Sequence, residues 1–177
     1  GAGNPLRWWA PERWAALATA LQARGITPVL TAGPGEEELI RAVDPDECYT
    51  AYPGTLSLPA MWHLLAQAAL AVCLDSGIAH LAKLTMTPTV CLFGQGNDQL
   101  FGAGHFFANN PFVSLIERDI PCRDQRTLFG RELIWVRRCA RRPGACNNAI
   151  CMQALIYDNV LAACSTLLEE FSRVTTQ

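Results

Sequence analysis

The stretch Val72-Cys73-Leu74-Asp75-Ser76-Gly77-Ile78-Ala79-His80-Leu81 concentrates the side chains best suited to chemistry. An apolar run enters a turn carrying a carboxylate, a hydroxyl and a glycine, and a helical pattern follows at once. A helix N-terminus leaves backbone N–H groups without intrahelical partners, and the helix dipole favours an anion there. Ser76 and Gly77 would present those groups, and Gly77 would let a phosphate approach the backbone closely. Ser76 and His80 stand four apart, so one crevice can hold both side chains. Plain capping is the competing reading, with Asp75 or Ser76 as N-cap and His80 satisfied by its neighbours.

A second group of reactive side chains is Cys122, Cys139, Cys146 and Cys151, set in a polar, Arg-rich segment. No secretory leader is visible, which favours a structural metal, iron or zinc, over disulfides. The spacing is not that of paired zinc-ribbon cysteines, so free thiols or disulfides in an irregular loop stay open. The other four, Cys48, Cys73, Cys91 and Cys164, lie in or beside apolar runs and read as small buried hydrophobes.

The elements that must position these residues follow from periodicity. Trp14, Leu17 and Leu21 recur at helical spacing between Pro11 and Gly25, where proline suits a first turn and glycine a stop. Ile26–Thr31 reads as a strand, Glu36–Val43 as a helix, Pro59–Ala69 as a helix and Leu70–Leu74 as a strand. Ser76–Leu84 is a helix, Thr89–Phe93 a strand, and 94–111 a glycine-rich loop. Phe112–Ile116 is a last strand and Tyr157–Arg173 a C-terminal helix. Near-continuous apolar strands alternating with helices predict an α/β fold with a parallel sheet covered on both faces. In such a sheet, ligands bind outside the carboxyl ends of the strands, where the Asp75 turn falls.

The chain has 177 residues, half of them hydrophobic and 17% charged, with net charge −2. That suits one domain with a real core and excludes intrinsic disorder. It gives no general pull toward nucleic acid. The longest apolar stretch, Leu58–Leu74, is interrupted by Pro59, His63 and Gln67, so no transmembrane segment is expected. The expected divisions are 1–116 as the sheet domain, 117–152 as the Cys/Arg-rich segment and 153–177 as the C-terminal helix.

The run Asp75-Ser76-Gly77-Ile78-Ala79-His80-Leu81-Ala82, followed by Pro88-Thr89-Val90-Cys91-Leu92-Phe93-Gly94, resembles a signature of glycosyltransferase family 9, the ADP-heptose:lipopolysaccharide heptosyltransferases and their relatives. Arg7-Trp8-Trp9-Ala10-Pro11-Glu12-Arg13-Trp14 is similar to the family's K-x-W-P helix start. Gly54-Thr55-Leu56-Ser57-Leu58 resembles its G-x-x-S-L turn. The resemblance implies the C-terminal half of a GT-B glycosyltransferase, a Rossmann-like donor-binding domain. The acceptor-binding half, with the family's carboxylate base, is then expected on a preceding domain. No catalytic residue is expected in this half, no cofactor is required for catalysis, and the 177 residues alone should transfer no sugar.

Carried over by position, Asp75, Ser76, Gly77 and His80 are expected to bind the nucleotide sugar, an ADP-heptose-like donor. Arg7 takes the place of a phosphate-contacting lysine, and Leu56 a place lining the base pocket, where core packing is the alternative. A family acid that grips the ribose falls near Glu36, with Gly35 as the other occupant of its place. The four clustered cysteines also resemble, by count and location, an iron-binding finger of some members. Seven arginines lie between Cys122 and Cys151. They would face an anionic glycolipid or protein acceptor, or nucleic acid, or form an ordinary solvated face. The implied location is cytoplasmic, against the inner membrane. Two other readings are a non-catalytic nucleotide-binding or metal-stabilised module, and another GT-B enzyme such as a nucleotide-sugar epimerase.

Overall fold

A computed structural model describes residues 3–174, with side chains to residue 171. The outermost residues of the expected divisions 1–116 and 153–177 lie outside the described residues. After a 3-10 turn at Pro5–Arg7 come α1 (Pro11–Gln22), β1 (Val29–Ala32), α2 (Glu37–Val43), β2 (Thr50–Pro53), α3 (Leu58–Gln67), β3 (Ala71–Leu74), α4 (Gly77–Leu84) and β4 (Thr89–Phe93). They are followed by α5 (Asp98–Phe101), β5 (Phe112–Ile116), the short strands β6 (Thr127–Leu128) and β7 (Arg131–Glu132), α6 (Ile150–Gln153) and α7 (Tyr157–Val174). The expected strands and helices of the sheet domain are present. β2 was not expected, and α5 interrupts the loop after β4.

Two parallel sheets form, β1–β2 and β3–β4–β5, while β6 and β7 make an antiparallel hairpin. β4 is the most enclosed strand, with Val90, Cys91, Leu92 and Phe93 at most 1% exposed. Burying each large side chain of this kind contributes about 1.5–3 kcal/mol. One face of the sheet packs on α1 and α7 through Trp9, Leu17, Leu21, Val160, Cys164 and Leu167. The other face carries Cys73, Ala79, Cys91 and Phe93. Trp9 anchors the entry to α1: its Nε1 donates to Leu155 O at 2.7 Å, and its ring meets Trp14 edge-on at 5.1 Å. The class is α/β with a Rossmann-like parallel sheet, as the alternation of apolar strands and helices requires. Cys73, Cys91 and Cys164 are buried as expected, but Cys48 is exposed. It lies in the α2–β2 connection, where its own amide and that of Tyr49 donate to the Asp44 carboxylate and turn the chain at the surface.

Candidate functional site

Only Asp75 and Ser76 separate β3 from α4. So tight a turn places the first amides of α4 directly at the carboxyl end of the sheet. Ser76 is the N-cap residue, in extended conformation, yet its hydroxyl caps no amide of the helix. Space in front of Gly77 is open, since a Cβ there would meet nothing within 4 Å. The turn therefore offers uncapped helix amides, a free hydroxyl and a clear approach, the requirements of an anion site.

Asp75 is buried beside this opening, with Oδ2 packed against Gly96, where any Cβ would collide with it. Burial pushes its carboxyl above the usual aspartate range, against the pull of Arg7, His80 and Lys83. His80 is exposed one turn into α4, its ring edge-on to Phe101 at 6.5 Å. Partial desolvation and then the Lys83 charge hold its imidazole below the ordinary value, with Asp75 opposing. Lys83 itself is buried: Nζ donates to the carbonyls of Phe101 (2.9 Å) and Gly102 (2.7 Å) and lies over the Phe107 and Phe112 rings. It pins the segment that carries Phe101 against the His80 helix.

Arg7 reaches the same turn, with Nη1 3.4 Å from Asp75 O and a buried Nε that has no hydrogen-bond partner. Asn4 Nδ2 donates to Gln95 Oε1 at 2.9 Å, so the start of the described chain lies across the ends of β3 and β4. Glu36 is tied to the same edge. Its carboxylate accepts from the amides of Gly3 (3.0 Å) and Gly33 (3.1 Å). Leu56 is half-buried and packs with the cluster of Met61, Leu65, Leu81 and Ala82 between α3 and α4. The fold thus gathers Arg7, Asp75, Ser76, Gly77 and His80 at one turn, joins Glu36 to its edge through Gly3, Asn4 and Gln95, and places Leu56 in a helix–helix contact.

The Cys/Arg-rich segment braces the neighbouring loop. Arg123 is 5% exposed and donates to Gly96 O (2.6 Å) and Phe93 O (3.4 Å). Gln95 Nε2 donates to Arg141 O, Asn97 Nδ2 to Arg137 O, and Cys139 N to Gln95 O. Burial lowers the Arg123 pKa, partly offset by Cys151, Cys122 and Cys139, which lie close enough to be charge-coupled to it. Cys146 closes an isolated backbone bridge with Pro143. Among the described residues no group of three or more His, Cys, Asp or Glu side chains is arranged to hold a metal ion. The arginines are likewise not one solvated face: Arg123 points inward, and Arg141 forms a two-bonded ion pair with Asp124.

Sequence reasoning missed Asn4, Gln95, Gly96 and Arg123. Only Gly94-Gln95-Gly96, following a strand at the ligand-binding end of the sheet, carried a local signal.

A parallel α/β sheet with an open helix-start turn at its carboxyl edge belongs to the doubly wound class of α/β domains, in which ligands bind at that edge. The profile of glycosyltransferase family 9 (heptosyltransferase) matches residues 1–131, and the chain belongs to that family. Lipopolysaccharide heptosyltransferase 3 of Escherichia coli is 34% identical over 125 residues, 67% of this chain and 36% of that protein. The structure of Escherichia coli ADP-heptose lps heptosyltransferase II superposes with a TM-score of 0.72 at 18% identity, over 97% of this chain and 45% of that one. The structure of Escherichia coli heptosyltransferase WaaC with ADP gives 0.52 at 27% identity, over 58% of this chain and 32% of that one. The 177 residues therefore span less than half the length of these relatives.

Proposed function

We propose that this chain is the donor-binding half of an inverting glycosyltransferase that uses an ADP-heptose-like nucleotide sugar in lipopolysaccharide or related glycan assembly. The observation that carries this is the Asp75–His80 turn: uncapped amides at Ser76 and Gly77, open space before them, and Arg7 alongside. Its position at the carboxyl end of a parallel sheet, and the ADP of the 27%-identical WaaC structure, support the choice of ligand. When a nucleoside diphosphate leaves a sugar, negative charge grows on its phosphates. Fixed amides, a helix N-terminus and the Arg7 guanidinium offset that charge without a metal. In this reading His80 and the Ser76 hydroxyl hold the phosphate or sugar oxygens. The carboxylate base and the acceptor site, for an anionic glycolipid or protein, belong in this proposal to an acceptor-binding domain, with the enzyme acting at the cytoplasmic face of the inner membrane. Among the described residues no helix is long and apolar enough to cross a membrane.

Calorimetric titration of the 177-residue chain with ADP, GDP and UDP tests the reading. ADP should bind weakly and in preference to the other two, and Gly77→Val should abolish binding while leaving the fold intact. Equal ADP affinity in parent and Gly77→Val protein would overturn it.

A further inference from the structure

Turn positions are normally filled by Gly, Asn, Asp, Ser or Pro. Two turns of the Cys/Arg-rich segment break that rule. β6 and β7 are joined by Phe129 and Gly130, both at positive φ (51° and 74°), which a two-residue hairpin turn requires and a bulky side chain disfavours. Just beyond β7, Val136 N donates to Leu133 O at 3.1 Å and closes a second turn around Ile134 and Trp135. Phe129 is 90% exposed, Ile134 80% and Trp135 53%. Phe129 therefore serves neither its turn, where asparagine fits better, nor the core. Local rules broken without benefit to the fold mark a position kept for another purpose.

The arm that carries these side chains is fixed at its root. Gln125 and Arg138 exchange backbone hydrogen bonds of 3.0 and 3.1 Å, and Val136 is fully buried. Arg123, Arg137 and Cys139 bond the same root to the 94–97 loop. Charge is concentrated here as well. Residues 123–142 hold seven arginines, two acids and no lysine, a net +5 that leaves −7 on the rest of the chain. Arg126 and Arg131, on either side of the Phe129 turn, are exposed, as are Arg137 and Arg142. The guanidinium fork is the side chain best shaped to grip a phosphate.

We propose that this arm is a membrane-docking finger. Phe129, Ile134 and Trp135 enter the interfacial layer of an anionic bilayer, and the exposed arginines hold the lipid phosphates. Apolar and aromatic tips ringed by basic residues bind such a surface through burial and charge together. A stable protein interface uses roughly 20–30 residues a side, far more than two short turns present. Nucleic acid could use the arginines and stack on Trp135 but gives Ile134 no role. Among the described residues no helix can cross a membrane, so the contact is peripheral. The inference rests on the arm alone and stands whether or not the Asp75 turn binds a nucleotide.

The test is flotation of the 177-residue protein with vesicles of phosphatidylethanolamine and phosphatidylglycerol, against vesicles of phosphatidylcholine alone. The protein should bind the anionic vesicles at least about tenfold more tightly than the neutral ones, and added salt should weaken the binding. The double variant Phe129→Asn/Ile134→Asn should lose at least about tenfold in affinity for the anionic vesicles. It should melt no lower than the parent, because asparagine suits the Phe129 turn, and should bind ADP as the parent does, which separates this proposal from the donor site. Brominated acyl chains should quench tryptophan emission of the parent on anionic vesicles, and the quenched part should be lost in Trp135→Phe. This second measurement holds even where the double variant folds poorly. Failure of the parent to float with anionic vesicles would overturn the proposal. Equal affinity of parent and double variant, or equal quenching in parent and Trp135→Phe protein, would do the same. So would tighter binding to single-stranded RNA than to the anionic vesicles, which would make nucleic acid the occupant.

Discussion

Two turns at the carboxyl ends of adjacent strands have opposite characters. The Ser76–Gly77 start of α4, just after β3, leaves the first helix amides without a side-chain cap and faces open space. The 94–97 loop after β4 is bonded throughout, by Asn4, Arg123, Arg137, Cys139 and Arg141. Polar groups at a fold's ligand-binding edge are either spent on structure or kept for a ligand. Here the spent turn supports the unspent one, because Gly96 is the surface on which Asp75 rests.

The largest effect should come from removing the brace. Arg123→Met gives up two charge-assisted bonds to main-chain carbonyls and leaves those oxygens buried, a loss of about 3 kcal/mol. For a chain of this size that lowers Tm by roughly 6–12 °C in a thermal unfolding scan. A fall of under 1 °C would show that the loop does not depend on it.

Next is the contact between the turns. Gly96→Ala must displace the Asp75 carboxylate, at a cost of about 1–3 kcal/mol. In Asp75→Ala protein the same change should cost almost nothing, and a double-mutant cycle measures the difference. Gly77→Ala, with open space around it, should be neutral or slightly stabilising, by up to about 1 kcal/mol. Equal costs at Gly96 and Gly77 would erase the contrast between the two loops.

The smaller effect concerns charge. Burial raises the folded pKa of Asp75, so the folded state holds that proton more tightly than the unfolded one. Its contribution to stability is then greatest at low pH and is lost as the pH rises through the folded value. Asp75→Asn should therefore raise Tm near neutrality, by about 0.5–2 kcal/mol of stability, as relief of a functional site commonly does. The gain should vanish below about pH 4, where the unfolded carboxyl also protonates. A gain independent of pH would mean that the buried charge is not its source. Elemental analysis of protein purified without oxygen bears on the brace: if the hydrogen bonds of Arg123, Gln95 and Asn97 hold the segment by themselves, neither iron nor zinc should be stoichiometric. One bound equivalent would show that the four cysteines regroup around a metal.

The legible parts of this molecule were local. Pro11 to Gly25 and the passage from Val72 through Leu81 carry their periods and stop signals in consecutive residues, and both fold as those signals direct. β2 was missed because Thr50–Pro53 is four residues long, ends in proline and has no alternation to mark it. Arg123 looked like one surface arginine among seven, since its burial depends on carbonyls of residues 93 and 96, which no local pattern announces. Cys48 read as buried from its neighbours, yet the Asp44 turn carries it outward.

Amide chemical shifts of labelled protein titrated with ADP show whether the Asp75–His80 turn is the anion site. Saturable shifts at Ser76, Gly77 and Ile78, with little change at 94–97, are the predicted result. Saturable binding that moves the 94–97 amides and leaves those of α4 unmoved would contradict it.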